Sequence, residues 1–272
     1  MARELDKDTV LCISLAARPS NVGTRFHNFL YEALGLNFAY KAFAPADIGD
    51  AVRGIRGLGI RGAAVSMPYK AAVIPMLDEI DASAAEIGAV NTIVNTDGRL
   101  HGYNTDVIAV EQLLASHHVR PDVPVALLGS GGMARACASA LARAGFQAVT
   151  VVARNRDAGC TLADRHGWNW QEVAEPRYSM ILNATPVGMA GGADSGRMPV
   201  GTAVVDHADI VFDVIAYPPD TPLMRYAEEH GKHCISGADV MVLQAVEQFE
   251  LYTGIRPPAD LIAAAAAHSR HE

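Results

Sequence analysis

The chain has 272 residues, of which 22 are Lys or Arg and 30 are Asp or Glu, so the net charge is −8 with histidine neutral. This acidic balance argues against sequence-independent binding to nucleic acid, which depends on basic side chains that neutralise phosphates. Half of the residues are hydrophobic, enough to bury a sizeable core. No apolar run approaches the ~18 residues of a membrane span, and residues 1–8 are charged, unlike a signal peptide. We therefore expect a cytoplasmic protein of one large or two modest domains.

The cysteines and histidines show no spacing typical of metal ligands. The four cysteines form no C-x-x-C pair, which disfavours a zinc site and a thiol redox motif. The ten histidines likewise lack partners at ligand spacing. We predict no metal site and the reduced thiols of a cytosolic chain.

The first hundred residues alternate short apolar runs with helical periods, which indicates an α/β fold. In chain order they predict a strand, a helix, a strand, a helix and a strand at residues 10–15, 24–34, 38–42, 47–58 and 60–66. Asp47 is the expected cap of the second helix. A further helix is predicted to begin near Tyr69 and to stop at Pro75. Residues 91–94 and 100–103 flank Thr96-Asp97-Gly98 and predict a hairpin.

The pattern restarts after Asp106, where we place a domain boundary. A helix at residues 107–114, a strand at 123–128, a helix that ends at Gly145 and a strand at 148–153 follow in order. Three later strands are predicted at residues 180–182, 210–214 and 232–235. Two final helices are predicted at residues 239–252 and 258–268, and the pattern alone assigns them to neither domain. The Gly-rich segment 188–199 is predicted to be a mobile surface loop.

A glycine-rich loop joins the strand at 123–128 to the next helix. It fits the pattern G-x-G-x-x-G/A, in which glycines allow a sharp turn and bring backbone N–H groups close to a pyrophosphate. The N-terminus of the helix then faces the negative charge of the phosphates. Because strand, loop, helix and second strand occur in the required order, we predict a dinucleotide site rather than a structural turn. Its residues are Gly129, Ser130, Gly131, Gly132, Met133 and Ala134.

The residues after the next strand favour NADP over NAD. An NAD site usually carries an acidic residue here to bind the ribose 2′-hydroxyl, but this chain has Arg154-Asn155-Arg156. A guanidinium binds a 2′-phosphate through paired charge-assisted hydrogen bonds, and a solvated basic turn is the alternative. We assign Arg154 and Asn155 to the cofactor site. Three further residues are assigned to it: Asn183, Thr185 and Gly237.

A lysine and an aspartate carry the predicted chemistry. Lys70 lies just past the strand at 60–66, and Asp106 lies at the domain junction. Hydride transfer to a ketone needs a proton for the developing alkoxide, which a lysine oriented by a carboxylate can deliver. On the pattern alone, a surface lysine and an aspartate that caps the following helix are the alternative.

Two other segments offer polar groups for a substrate. Ser20 and Thr24 lead into the first helix, where hydroxyls and free N–H groups form a natural carboxylate site; an ordinary helix cap is the alternative. Gln244 lies on a largely apolar late helix, and its amide needs a hydrogen-bond partner that a bound polyol can supply. A satisfied structural amide is the alternative there.

Together these segments resemble the shikimate dehydrogenase family, in order and over nearly the whole chain. The resemblance is carried by residues 65–70, 88–92, 104–106, 129–134, 183–185 and 244. It implies an α/β fold with two domains. These are a substrate-binding domain, residues 1–106 plus 239–272, and a Rossmann-type NADP-binding domain, residues 107–238. The C-terminal helices are then expected to pack back on the first domain.

The family's roles carry over position by position. Lys70 resembles the catalytic acid/base lysine, and Asp106 resembles its paired carboxylate. Asn91 and Gln244 match residues that hold substrate hydroxyls. Arg154 matches the arginine that contacts the 2′-phosphate.

Some positions depart from the usual pattern of the family. Ser66 stands where threonine is common, and it is assigned to the substrate site. Ser20 and Thr24 belong to an S-x-x-G-T segment that resembles a divergent shikimate dehydrogenase-like branch and replaces the usual S-x-S. Ala64 and Ala216 replace an asparagine and a tyrosine, so each removes a polar contact to substrate.

The resemblance implies an NADP-dependent enzyme that interconverts 3-dehydroshikimate and shikimate in the chorismate pathway of aromatic amino acid biosynthesis. A quinate or aminoshikimate dehydrogenase on the same scaffold, and a ligand-binding sensor with little turnover, are the alternatives. The Lys70–Asp106 pair argues against the sensor, which needs no acid/base. The expected partner is a small-molecule substrate, with no nucleic acid and no membrane, and a homodimer is left open.

Overall fold

The computed structural model describes residues 5–270, so residues 1–4 of the charged N-terminal segment and residues 271–272 lie outside the description. The chain divides into two compact units, Met1–Thr105 with Val242–Glu272, and Asp106–Met241. Among residues 5–270, no helix is long and apolar enough to cross a membrane. In the same range, no group of three or more His, Cys, Asp or Glu residues is arranged to hold a metal ion.

The first unit is built on a six-stranded mixed sheet with the order β2-β1-β3-β5-β6-β4. Its strands are β1 (Val10–Leu15), β2 (Phe38–Phe43), β3 (Gly62–Val65), β4 (Glu79–Ile80), β5 (Thr92–Thr96) and β6 (Arg99–Tyr103). β1 runs parallel to β2 and β3, whereas β5 runs antiparallel to both β3 and β6. The carboxyl ends of β1, β3 and β6 and the start of β5 therefore lie at one edge of the sheet.

Three helices belong to this part of the chain, α1 (Val22–Ala33), α2 (Ile48–Gly57) and α3 (Ala82–Ile87). Asp47 caps α2 as predicted, because its Oδ1 accepts a hydrogen bond of 2.7 Å from the backbone N–H of Asp50. The predicted hairpin is confirmed as β5 and β6, joined by Asp97 and Gly98, both with positive φ. Such a two-residue turn matches the twist of the strands that it joins.

The second unit contains a six-stranded sheet in which all pairs are parallel. Its strands are β7 (Val125–Leu128), β8 (Val149–Val152), β9 (Asn169–Gln171), β10 (Met180–Asn183), β11 (Ile210–Asp213) and β12 (His233–Ser236). The order β9-β8-β7-β10-β11-β12 is that of a doubly wound Rossmann sheet, and the strand order reverses between β7 and β10. The associated helices are α4 (Thr105–Ser116), α5 (Gly132–Arg143), α6 (Arg156–His166), α7 (Thr202–His207) and α8 (Pro222–Glu229).

The last two helices are α9 (Gly237–Thr253) and α10 (Ala259–Arg270), and most of their length lies in the first unit. Phe249 and Tyr252 of α9 pack with Phe26 and Tyr31 of α1 in one buried cluster. On β1, Cys12 joins this cluster, while its neighbours along the strand join a second apolar cluster with α2. The two clusters occupy opposite faces of the sheet because successive side chains of a strand alternate.

The prediction of a helix that begins near Tyr69 is wrong. Residues 67–73 form turns, and only Ile74–Met76 form a single 3-10 turn that contains Pro75. Proline has no N–H to donate and clashes with the preceding helical turn, so no α-helix passes through it.

The sequence analysis also missed two strands and four helices: β4, β9, α3, α6, α7 and α8. Each is short or polar. In α6 only Gly159, Leu162 and Ala163 are buried, so its apolar stripe is too narrow to stand out. The Asp81 side chain that caps α3, by accepting from Ser83 N at 2.9 Å, was the available signal for that helix.

Gly62 of β3 permits the close packing of α9 against the first sheet. A Cβ atom at this position would overlap the buried ring of Tyr252. Gly54, in the middle of α2, has open space around the equivalent position. The two glycines therefore differ in what a methyl group would meet.

We expect Gly62→Ala to lower the free energy of unfolding by about 1–3 kcal/mol, because overpacking forces the ring or the strand to move. The matched variant Gly54→Ala should raise it by about 0.5–1 kcal/mol, since alanine restricts the unfolded chain without a clash. Urea denaturation of both variants and the wild type measures the difference. A Gly62→Ala protein as stable as the wild type would contradict the packing argument.

Candidate active site

Backbone hydrogen bonds gather the substrate-side candidates at one edge of the first sheet. Val65 N donates to Asn91 O at 2.7 Å, and Asn91 N donates to Tyr103 O at 3.0 Å. Val90 N donates to Lys70 O at 2.8 Å, which ties the turn after β3 to the same edge. The structure therefore brings together the segments that carry Ser66, Lys70 and Asn91.

The two proposed catalytic residues differ in exposure. Lys70 is half-buried in the turn after β3. Asp106 is 3% exposed and is the second residue of α4, so it lies in the first helical turn and is not the helix cap. A carboxylate in the first turn is favoured by the positive end of the helix dipole. The capping alternative for Asp106 is therefore wrong.

The side chain of Asn91 is buried and held from two sides. Its Oδ1 accepts from Thr105 N at 2.9 Å and from Thr92 Oγ1 at 2.8 Å. Its Nδ2 donates to Thr105 Oγ1 at 3.1 Å. A backbone N–H can only donate, so the contact with Thr105 N settles which end of the amide is oxygen.

Two glutamines of α9 lie in the first unit. Gln244, which was predicted, is half-buried. Gln248, which was missed, is 4% exposed and donates through Nε2 to Thr92 Oγ1 at 3.1 Å. The two residues are one helical turn apart and share a face of α9. The signal used for Gln244, an amide on an apolar helix, applied equally to Gln248.

The start of α1 differs from the predicted arrangement of hydroxyls. The N-cap residue is Asn21, and its side chain makes no capping hydrogen bond. Ser20 is exposed, but Thr24 Oγ1 is shielded from solvent and has no hydrogen-bond partner among the described residues. The accessible polar groups here are the hydroxyl of Ser20 and the N–H groups of the first turn, which the helix itself leaves unpaired.

The second unit contains a cavity of about 750 Å³ at the carboxyl ends of its strands. This is the position at which doubly wound sheets bind their ligands. The lining includes these predicted cofactor residues: Gly129, Ser130, Gly131, Arg154, Asn155 and Thr185. Three charged residues of the lining were missed by the sequence analysis: Glu172, Asp194 and Arg197. Arg197 and Asp194 form an ion pair at 3.1 Å within the Gly-rich segment that was predicted to be a surface loop.

The first glycine of the loop has two structural reasons to be glycine. Gly129 has φ of +109°, and a Cβ atom there would lie 3.1 Å from Ala184 O. Gly131 is the N-cap of α5 and provides no side-chain cap, so the N–H groups of the first turn are available to a ligand. Gly132, Met133 and Ala134 lie in α5, and the buried Ala134 allows the helix to pack closely.

The structure separates the two arginines that follow β8. Arg154 is exposed and lines the cavity. Arg156 instead lies over the ring of Trp170, with its guanidinium carbon 5.4 Å from the ring centroid. Asn155 caps α6, since its Oδ1 accepts from Ala158 N at 3.1 Å. Arg154 is thus the arginine of this pair that faces the cavity.

Neither Asn183 nor Gly237 is among the residues that line the cavity. Asn183 is fully buried, and its Oδ1 accepts from Thr185 N at 3.1 Å and from Thr185 Oγ1 at 2.7 Å. Its contact with the lining is therefore made through Thr185. A Cβ atom at Gly237 would overlap the backbone of Val214 and Ile215, so this glycine allows α9 to begin close to the segment after β11.

A buried carboxylate joins two of the loops. Asp213, at the end of β11, accepts from Asn183 Nδ2 at 3.0 Å, Ile215 N at 3.1 Å and Thr221 Oγ1 at 2.7 Å. Burial raises the pKa of Asp213 to about 6, and the three hydrogen bonds act in the opposite direction. Asp213 thereby connects the loop after β10, which lines the cavity, to the loop after β11.

Comparison with known proteins places the chain in a family. The family model for the shikimate dehydrogenase substrate binding domain matches residues 21–93, and that for the shikimate 5′-dehydrogenase C-terminal domain matches residues 237–267. A shikimate dehydrogenase-like protein of Haemophilus influenzae is 51% identical over 267 residues, which cover 98% of each chain. An NADP⁺ shikimate dehydrogenase of Chlorobaculum tepidum is 37% identical over 87% of each.

The chain belongs to the shikimate dehydrogenase family. A solved structure of a Thermus thermophilus shikimate 5-dehydrogenase in complex with NADP(H) and shikimate has a TM-score of 0.84 and 28% identity, and the match covers 96% of this chain and 99% of that one. The predictions of a shikimate dehydrogenase-like chain and of an α/β fold with a Rossmann-type unit are confirmed. The predicted class of NADP-dependent oxidoreductase acting on a CH–OH group is that of the family.

The buried carboxyl group of Asp213 predicts a pH dependence of stability. In the folded protein it keeps its proton up to about pH 6, whereas its ordinary pKa is 3.8. Between these values the folded state binds more protons than the unfolded state, so this group lowers the free energy of unfolding as the pH rises. We expect Asp213→Asn, which cannot titrate, to gain about 2 kcal/mol relative to the wild type between pH 4 and pH 7.

Urea denaturation of both proteins at several pH values measures this difference, and all other titrating groups are common to the two. A difference that does not change with pH would contradict the assignment of the titration to Asp213.

Proposed function

We propose that the protein is an NADP-dependent shikimate dehydrogenase, which reduces 3-dehydroshikimate to shikimate and also runs in reverse. The observation that carries the proposal is the edge of the first sheet at which the backbone brings Lys70 and Asn91 together. With a half-buried lysine and a fixed amide on segments joined at this edge, the lysine can exchange a proton with a bound polyol and the amide can hold its hydroxyls. The family membership supports the same assignment.

The cavity of the second unit fits a dinucleotide phosphate. A Cβ atom at Gly129 would press against the backbone of Ala184, and the N–H groups at the start of α5 lack a side-chain cap. These features suit a pyrophosphate. Arg154 in the lining suits the 2′-phosphate, because a guanidinium forms paired hydrogen bonds with phosphate oxygens. When bound, NADPH supplies the hydride that reduces the C3 carbonyl of the substrate.

The residues of the chain supply the proton and hold the substrate. Lys70 gives a proton to the C3 oxygen as negative charge develops there, and removes it in the reverse direction. Asp106 orients the lysine and the hydroxyl, as the resemblance implies. Asn91 and Gln244 hold the ring hydroxyls.

The substrate carboxylate has a separate site in this proposal. Ser20 and the N–H groups at the start of α1 bind it, together with Ser66 after β3. Thr24 joins this set when its hydroxyl turns from the shielded position that it has in the structure.

Replacement of Lys70 tests the assignment of the acid/base. We expect Lys70→Ala to lower kcat for shikimate oxidation by about 10²- to 10⁴-fold, the usual contribution of a general acid/base, while the Kd for NADP stays unchanged. The matched control is Lys41→Ala, which removes an exposed lysine of β2 and should leave turnover unchanged. Initial rates of NADPH formation and binding measured by fluorescence give the two quantities.

Parallel reactions with quinate and with NAD separate the alternatives. A rate with quinate that exceeds the rate with shikimate would assign the enzyme to the quinate type. No rate with any pair, in a protein that still binds NADP, would support the sensor.

Replacement of Arg154 tests cofactor selection. We expect Arg154→Ala to raise the KM for NADP by about 10- to 100-fold, the value of a lost charge-assisted contact, and to leave the KM for NAD nearly unchanged. Arg156→Ala removes the same charge two residues away, where the side chain packs on Trp170, and should affect neither constant. An equal rise for NADP and NAD after Arg154→Ala would mean that this side chain does not recognise the 2′-phosphate.

A further inference from the structure

We propose that Gln248 and Thr92 are positioning residues that present Asn91 to the substrate as a hydrogen-bond donor. The inference deepens the proposed function, since it takes Asn91 as a substrate contact. Neither residue is proposed to touch the ligand; with the backbone N–H of Thr105, which fixes the orientation of the Asn91 amide, they occupy its oxygen and leave its N–H end for the ligand.

The hydrogen bonds that join Gln248, Thr92 and Asn91 have a single direction. Gln248 Nε2 donates to Thr92 Oγ1 at 3.1 Å, and Thr92 Oγ1 lies 2.8 Å from Asn91 Oδ1. A threonine hydroxyl has one hydrogen, and while its oxygen accepts from Gln248 that hydrogen is directed to Asn91. The chain of bonds therefore runs one way, from Gln248 through Thr92 to Asn91.

These bonds leave one N–H group of the Asn91 amide for a ligand. Its Oδ1 already accepts from Thr92 Oγ1 and from the backbone N–H of Thr105, so both of its lone pairs are used. Its Nδ2 has two hydrogens, and one of them is donated to Thr105 Oγ1. The second hydrogen is the remaining polar group of the amide, so Asn91 binds the lone pair of a hydroxyl or carbonyl oxygen. A hydroxyl that accepts this bond keeps its own hydrogen for another acceptor.

The network is buried, so the direction of its hydrogen bonds affects its stability. Asn91, Thr92, Thr105 and Gln248 are all less than 5% exposed, so water does not replace a lost partner. A reversed or unsatisfied polar group in a buried network lowers the stability of the folded state. The hydrogen bonds of such a network also polarise and strengthen one another. Beyond Gln248 lies the aromatic cluster around His27, whose pKa burial lowers to about 3, so this side of the network is uncharged at neutral pH.

The test removes the hydroxyl at the centre of the chain and then restores it. Thr92→Val keeps the shape of the side chain without the hydroxyl, and Thr92→Ser keeps the hydroxyl. Gln248→Met removes the amide at a similar length. Thr150→Val removes a buried hydroxyl from β8 of the second unit and serves as the matched control.

We expect Thr92→Val and Gln248→Met to raise the KM for shikimate about five- to tenfold, equivalent to one weakened hydrogen bond, while the KM for NADP stays unchanged. Thr92→Ser should restore the wild-type KM, a rescue that a role in packing alone would not produce. Kinetics of Thr92→Val equal to those of the wild type would overturn the proposal. If Thr92→Val does not fold, as its urea midpoint beside that of Thr150→Val would show, Gln248→Met carries the same prediction.

A second readout needs no turnover. The side-chain amide protons of Asn91 in ¹⁵N NMR spectra should shift in Thr92→Val and Gln248→Met and return to their wild-type positions in Thr92→Ser. Unchanged Asn91 resonances in the first two variants would overturn the inference. A wild type without activity on shikimate but with this pattern of shifts would instead count against the proposed function alone.

Discussion

The register of β5 between β3 and β6 determines where the polar residues of the first unit lie. β5 runs antiparallel to both neighbours, so its first residues meet the last residues of each. Two backbone hydrogen bonds of Asn91, one with Val65 and one with Tyr103, hold this junction. A slip of one residue would turn every side chain of β5 to the other face of the sheet. The amide of Asn91 would then lose Thr105, and the turn that carries Lys70 would lose its tie to Val90.

In the second unit the functional loops also lie at one edge of the sheet. All of its strands are parallel, so their carboxyl ends meet there. There the loops are held by a buried charge rather than by backbone register. Asp213 accepts three hydrogen bonds from Asn183, Ile215 and Thr221, and its burial opposes ionisation. A buried carboxylate is a poor source of stability. Its value here is geometric, because it gives the two loops a common anchor point behind the cavity.

Sequence reasoning found the elements and residues whose signal is local. The Gly129 loop, the Asp97-Gly98 hairpin turn and the Asp47 cap each follow from a short pattern with one physical cause. Sequence reasoning failed for residues whose position depends on contacts with distant parts of the chain. The residues around Arg154 and Arg156 do not indicate that Arg156 packs on Trp170 of β9 and so does not line the cavity. Gln248 had the same local signal as Gln244, but its partner Thr92 is distant in sequence and could not be predicted. The helix α6 was missed because its buried stripe is too narrow to recognise.

The two ends of the proposed substrate site differ in how strongly they select among ligands. At the start of α1 the accessible groups are the Ser20 hydroxyl and backbone N–H groups, and any carboxylate of suitable size satisfies them. Backbone N–H groups therefore contribute affinity with little selection among acids that share a carboxylate. Selection falls to the groups that face the ring, and among these Asn91 has a fixed direction. Because its Oδ1 is already occupied, a ligand that presents only a donor at that position would leave two N–H groups opposed. In the proposed site a ring oxygen at this place would be accepted and an ammonium would be rejected, so the buried network rather than the carboxylate site would select the substituent at that ring position.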